Sequence, residues 1–431
     1  MSHGTLQIGY TSQERPLVVR FAGDEAAATR VLIVAGQHGD EPLAREAVAA
    51  FVKSFQRSGI HIAGLIDANP DGSSLHQRAN GAGIDLNRDH QRLAAVETQA
   101  IHAFARQWRP HFVIDVHTYP PRRRHLLARG WVHATDVFID IANNPAACAD
   151  AAWATWLGCS LPRWVESVRC AGFRCQRYTI ITKTGRIRHS TPDVCDARNG
   201  LALSLGVPAV LLEGRQPTRF DGCEAASRTA GALQVALRRV VNDVREIPPC
   251  APLPEEFLVP IRSRYVASAP APTLPFYDPK HQQVRAVQLE GTYTPRFDVT
   301  HSVAAPLGYL VPGGNSELLA LLHNHGIVTT EELPPGAVTA RRHHIERVTP
   351  SERSRRPPKQ IKSRGIACQY IPNDDLIVPV TEQNARLLAV LLEPHSKYAI
   401  SRYAEMAAEP VAGQFYPIGR IEAVQGRAAA G

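Results

Sequence analysis

Residues 1–246 alternate short apolar runs with stretches of helical spacing, the rhythm of a sheet covered by helices. VLIVAG (31–36) predicts a buried strand. After it, Pro42 suits a first helical turn, where its missing N–H costs nothing. Leu43, Ala47, Val48, Phe51, Val52 and Phe55 then keep helical spacing. IHIAGLIDANP (60–70) predicts a second strand closed by a turn, and a helix over 94–108 leads into a third, HFVIDVH (111–117). VPAVLLEG (207–214) predicts a fourth, followed by a helix near 225–242. The expected architecture is therefore an α/β fold, with a mixed, mostly parallel central sheet flanked by helices.

A chain of 431 residues is long enough for two domains. IPPCAPLPEEFLVP (247–260) reads as a proline-rich linker. Beyond it, LGYLVP (307–312) and NSELLALLHNHG (315–326) predict a strand and a capped helix, and LIVPVTEQNARLLAVLLEP (376–394) repeats that order. The expected division is a first domain over 1–246, the linker, and a smaller C-terminal α+β domain over 261–431 without an assigned role. No apolar run reaches the ~20 residues of a membrane span, and MSHGTLQIGYTSQERP lacks a signal peptide's apolar core. The expected location is cytoplasmic. The eight cysteines form no CxxC pair and read as reduced thiols.

The formal charge is +8, and much of the excess lies in residues 341–364, with nine Lys or Arg against two Glu. That segment lacks the interleaved aromatics of a stacking platform and reads as a solvated loop rather than a nucleic-acid surface.

Chemistry concentrates elsewhere. VAGQHGDEPLAREA (34–47) sets His38 and Glu41 three residues apart where an apolar run meets a helix. Both residue types bind zinc, and that separation makes their side chains neighbours. His117 ends one predicted strand and Glu213 another. The crevice outside strand ends is where open α/β sheets build sites. Two histidines and one glutamate suffice for a catalytic zinc site with a position left for water.

NPDGSSLHQRANGAGIDLNRD (69–89) completes the pattern. The order HxxE, NPDG, Arg, DLNR, strand-end His and strand-end Glu resembles the zinc carboxypeptidase family, of the carboxypeptidase A type, over residues 36–215. The resemblance implies an α/β/α fold, one zinc per chain, and His38, Glu41 and His117 as its ligands. It implies that Arg78 polarises the scissile carbonyl, that Asn87 and Arg88 grip the substrate's terminal carboxylate, and that Glu213 is the general base. It implies that Asp85 orients the first zinc histidine. The substrate would be a peptide, or a small peptide-like molecule, with a free carboxylate.

The chemistry of these residue types is compatible with those roles. A carboxylate beside an activated water takes its proton and later hands it to the leaving amine. An oxyanion needs fixed positive charge, which Arg78 offers. A guanidinium grips a carboxylate through two parallel bonds. Zinc histidines donate their second ring proton outward, a role open to Asp85 or Asp115. Arg198 and Arg215 are further candidates for holding an acidic group in the cleft. The family's pocket tyrosine has no clear counterpart, although Tyr119 and Tyr178 lie between the third ligand and Glu213.

An alternative is an N-acyl amino acid deacylase of the succinylglutamate desuccinylase or aspartoacylase type. That branch shares the GxHG(N/D)E start, DLNR and a DxH ligand; the NPDG spelling favours the peptidase. A third reading, a binding protein without activity, sits poorly with a full set of ligands and base. The sequence leaves homo-oligomerisation open.

Overall fold

A computed structural model describes residues 4–148, 150–218, 224–250, 257–278, 280–334, 338–349, 360–367, 374–406 and 408–423. Its contacts divide the chain into two compact units, Met1–Ala251 with Tyr265–Asp298, and Pro252–Arg264 with Val299–Gly431. Part of the proline-rich passage, 251–256, lies outside the described residues.

In the first unit an eight-stranded sheet runs β1 (Thr5–Tyr10), β2 (Pro16–Gly23), β3 (Arg30–Ala35), β4 (His61–Leu65), β5 (Phe112–Tyr119), β6 (Val137–Ile141), β7 (Cys175–Arg177) and β8 (Ala209–Arg215) in sequence. In space the order is β1-β2-β4-β3-β5-β8-β6-β7. The pairs β4–β3, β3–β5, β5–β8 and β6–β7 are parallel; β1–β2, β2–β4 and β8–β6 are antiparallel. The fold is mixed α/β, as the alternation predicts.

Five helices cover this sheet: α1 (Pro42–Ser54), α2 (Val96–Trp108), α3 (Ala151–Cys170), α4 (Ala197–Leu205) and α5 (Glu224–Asp243). Phe112, Ile114 and Val116 of β5 join one core with Phe51 of α1, Trp164 of α3 and Leu237 of α5. Burying each such side chain is worth ~1.5–3 kcal/mol. Strand side chains alternate, so Asp115, His117 and Glu213 turn to the other face, on which α4 packs against β5 and β8. Both β5 and β8 run two residues past His117 and Glu213, so neither residue ends its strand as the sequence suggests.

Two stretches depart from the sequence expectations. Helix α3 forms where no pattern was assigned; Asp150 caps it, accepting from Trp153 N at 2.9 Å, and Leu157, Leu161, Trp164 and Val168 are buried. Residues 265–298, expected in the C-terminal domain, fold with the first unit. Thr273–Asp278 pairs with Gln283–Gln288 and with the short strand Val132–His133, burying Leu274, Phe276 and Leu289 with Leu126, Ile181 and Ile187.

The second unit holds a five-stranded sheet in the order Gln360–Ala367, Val338–Thr349, Phe415–Ala423, Gly308–Pro312, Asp375–Pro379. Helices Ser316–Asn324 and Ala385–Leu392 accompany it. The basic segment 341–364 is thus no loop in its described parts: it belongs to an antiparallel strand pair, while 350–359 lies outside the described residues. Among the described residues no helix is long and apolar enough to cross a membrane. Cys170 and Cys175, the closest pair in sequence, are both free.

Candidate active site

The site is assembled where β3 gives way to α1. Gly36 turns the chain with φ +70, a region that L side chains avoid. A Cβ on Gly39 would lie 2.0 Å from the backbone of Gly72, so only glycine lets this loop reach the next one. There Asn69 caps the short helix Pro70–Leu75: its Oδ1 accepts from Gly72 N at 2.9 Å, and its Nδ2 donates to Gln37 O at 3.1 Å and Arg78 O at 3.3 Å. Asp71 of the same NPDG stretch accepts from Thr11 Oγ1 at 2.8 Å and Arg15 Nη1 at 2.7 Å. That motif fastens the His38 loop to the Arg78 loop.

His38, Glu41 and His117 are buried together, with one potential ligand atom from each within 4.8 Å of the others. Both imidazoles present Nδ1 to the Glu41 carboxylate, His38 at 2.6 Å from Oε1 and His117 at 3.1 Å from Oε2. Each Nε2 faces an outer carboxylate, Asp85 Oδ1 at 3.1 Å for His38 and Asp115 Oδ1 at 3.0 Å for His117. Burial opposes ionisation of Glu41, but His117 and His38 outweigh it and hold the carboxyl at about 2. Burial likewise opposes Asp85, which His38, Arg78 and Arg88 hold well below the usual carboxylate range.

Glu213 lies in register with His117 on the neighbouring parallel strand, ~4.8 Å away in the backbone. Burial pushes its carboxyl up to about 7, and the Glu41 charge adds to that against the pull of His117. Arg78 is half-exposed, donating from Nε to Asp85 Oδ2 at 2.9 Å. Arg88 is exposed, donating to the Asn87 carbonyl at 2.5 Å. Asn87 itself is buried and engaged at both ends: Nδ2 is 3.1 Å from His117 Nε2 and Oδ1 accepts from Ala197 N at 2.9 Å.

The other two arginines have loads inside the protein. Arg198 is 1% exposed, donating to Ser190 Oγ at 2.6 Å and Thr191 O at 3.0 Å and pairing with Asp196 at 3.2 Å. Its charge is spent in the wall and is not brought to the cleft. Arg215 is buried and donates from Nε to His133 O at 2.9 Å. It lines a cavity of about 600 Å³ with Arg122, Asp136, Arg174 and Arg228.

The sequence reading passed over Gln37 and His90. Gln37 is fully buried, donating to Asp115 Oδ1 at 2.7 Å, with its Oε1 2.8 Å from His90 Nε2. Its place next to His38 was the available signal. Tyr178 is near enough to Glu213 that, after burial, the carboxylate helps raise the phenol's pKa.

Fold and site together bring a buried His-Glu-His cluster, of a composition that could hold a metal ion, beside the parallel strands β3 and β5. No family model matches the chain. It is 22% identical over 442 residues to "Carboxypeptidase 2" of Trichophyton tonsurans, covering 91% of this chain and 76% of that protein. It is 28% identical over 124 residues to a "Probable carboxypeptidase 2" of Trichophyton verrucosum, covering 27% of this chain and only 24% of that protein. Among solved structures it is similar to a metallo-carboxypeptidase from Burkholderia cenocepacia, with 17% identity and TM-score 0.43, covering 57% of this chain and 66% of that one. These similarities, all at low identity, are to proteins named carboxypeptidases, the group that the motif order resembles.

Proposed function

We propose that this chain is a zinc-dependent carboxypeptidase, hydrolysing the C-terminal amide bond of a peptide or peptide-like substrate with a free carboxylate. The observation that supports it most is the convergence of two imidazole Nδ1 atoms on one buried carboxylate, with Glu213 on the adjacent strand rung. The donor set suits zinc: two neutral-capable imidazoles, one carboxylate, and an outer carboxylate behind each ring to take its second proton. His38, Glu41 and His117 would hold the ion. Bound zinc supplies a Lewis acid and makes a water acidic near neutral pH.

The remaining steps belong to side chains. A Glu213 carboxyl near neutrality accepts a proton from the attacking water and returns it to the leaving amine. Arg78, half-exposed beside the cluster, offers positive charge to the oxyanion. Arg88, exposed on the DLNR turn, grips the terminal carboxylate in a two-bond fork. Asn87, held at both ends, anchors that turn to His117 and to the start of α4. The names of the sequence relatives weigh against the deacylase alternative.

The test is mass spectrometry of peptides incubated with the zinc-loaded chain. Release of C-terminal residues is expected, lost when the peptide is amidated and when a chelator removes the metal. Equal rates on amidated and free peptides would overturn this reading.

A further inference from the structure

Outside this site, one group of side chains in the second unit has the composition and spacing of a metal-binding cluster. A ring nitrogen of His343, a ring nitrogen of His395 and a carboxylate oxygen of Glu393 lie within 4.8 Å of one another. Two segments bring them together. His343 sits on strand Val338–Thr349, Glu393 follows helix Ala385–Leu392 directly, and His395 comes two residues later. We propose that His343, Glu393 and His395 form a second metal site, which takes one zinc-type divalent cation.

Glu393 is 1% exposed, and a buried carboxylate is retained only with partners. Its Oε1 has them, accepting from Tyr309 OH at 2.9 Å and from Arg420. Its Oε2 stands 3.9 Å from His343 Nε2, beyond hydrogen-bond reach. Two ligands each ~2.0–2.2 Å from one tetrahedral zinc are ~3.4 Å apart, so a shift of about half an ångström closes this pair on an ion.

The outer groups fit as well. Ser363 Oγ lies 2.9 Å from His343 Nδ1 and 3.0 Å from His395 Nε2. When His343 Nε2 and His395 Nδ1 bind metal, the opposite nitrogens carry protons, and a hydroxyl oxygen has lone pairs for both. The cluster opens onto a cavity of about 500 Å³. Gly365 faces His343 across the strand pair, and a Cβ there would meet nothing within 4 Å among the described residues. Imidazole and carboxylate together select zinc over magnesium or calcium.

The experiment is calorimetric titration of zinc into the metal-free full-length chain carrying His117→Ala, which removes a ligand of the first site. One equivalent is expected to bind. Adding His343→Asn and His395→Gln should weaken that uptake by more than ~100-fold, since two of three ligands are gone. In the otherwise unaltered chain, the same pair of substitutions should lower zinc content from two equivalents to one and leave peptide hydrolysis intact. Cobalt(II) provides a second probe, its visible absorption present in His117→Ala and lost on the added changes. Melting curves check that each variant folds; His395→Gln alone is read where the pair does not. No uptake by His117→Ala, or uptake that survives the added substitutions, overturns the proposal.

Discussion

Glu213 is the residue whose substitution separates chemistry from architecture. Glu213→Gln keeps shape and most hydrogen bonding while removing proton transfer. Turnover should fall by ~10²- to 10⁴-fold, the usual contribution of a general base, with KM and zinc content nearly unchanged. A folded, zinc-loaded variant with normal turnover would show Glu213 to be structural. Arg88 is tested by the opposite kind of change. Arg88→Lys keeps the charge but loses the planar fork, so kcat/KM on free-carboxylate peptides should drop at least ~10-fold. Asp85→Asn leaves the Nε2 side of His38 without its anionic partner and should weaken zinc by ~10-fold or more, measured by competition with a chelator. Unaltered affinity there would mean that Arg78, not His38, is the group Asp85 serves.

At the scale of elements, contrasting outcomes are expected from two glycines. Gly39→Ala drives a Cβ into the Gly72 backbone and should destabilise the protein by ~1–3 kcal/mol, loosening the His38 loop and its zinc. Gly158 lies exposed within α3 with nothing near its missing Cβ, so Gly158→Ala should stabilise by ~0.5–1 kcal/mol in urea unfolding. The contrast also marks what the sequence made legible. Strands β3, β4, β5 and β8 and helix α1 were readable because continuous apolar runs and a proline-led helical stripe are local signals. Helix α3 was not, since Pro162 breaks the local pattern while the buried Leu157, Leu161, Trp164 and Val168 stripe sustains the helix by packing. The strand pair Val338–Thr349 and Gln360–Ala367 was hidden by its charge: Arg341, Arg342 and Arg364 decorate a partly exposed sheet whose pairing is long-range. At the site, residue types and order announced His38, Glu41, His117 and Glu213. They gave no hint that Arg198 is buried or that Asn87 is committed at both ends, because partners come from distant segments.

At the scale of the whole molecule, buried neutral histidines contribute a loss of stability in acid. Burial, and then Arg123, holds His133 at about 3, while burial and Arg177 hold His189 at about 4, against an ordinary 6.5. Between those values these rings bind protons in the unfolded chain that they refuse in the folded one, so their contribution to stability falls as pH drops from 6.5 toward 4, by up to ~1.4 kcal/mol per pH unit per ring. His133 packs against Tyr119, Phe138 and Phe276, and its Nδ1 has no hydrogen-bond partner among the described residues. His133→Phe should therefore fold and lose a smaller part of its melting temperature over that range; an identical slope would rule out this origin. Phe276, against which His133 stacks, reaches the first unit from far along the chain. That has a consequence for synthesis, which delivers the chain from its N-terminus. His38, Glu41, His117 and Glu213 leave the ribosome early, but the covering of Leu126, Ile181 and Ile187 waits for Leu274, Phe276 and Leu289. The nascent first unit must carry an unclosed apolar face until residue 298 has emerged, and a chain cut after Glu246 keeps that face exposed for good.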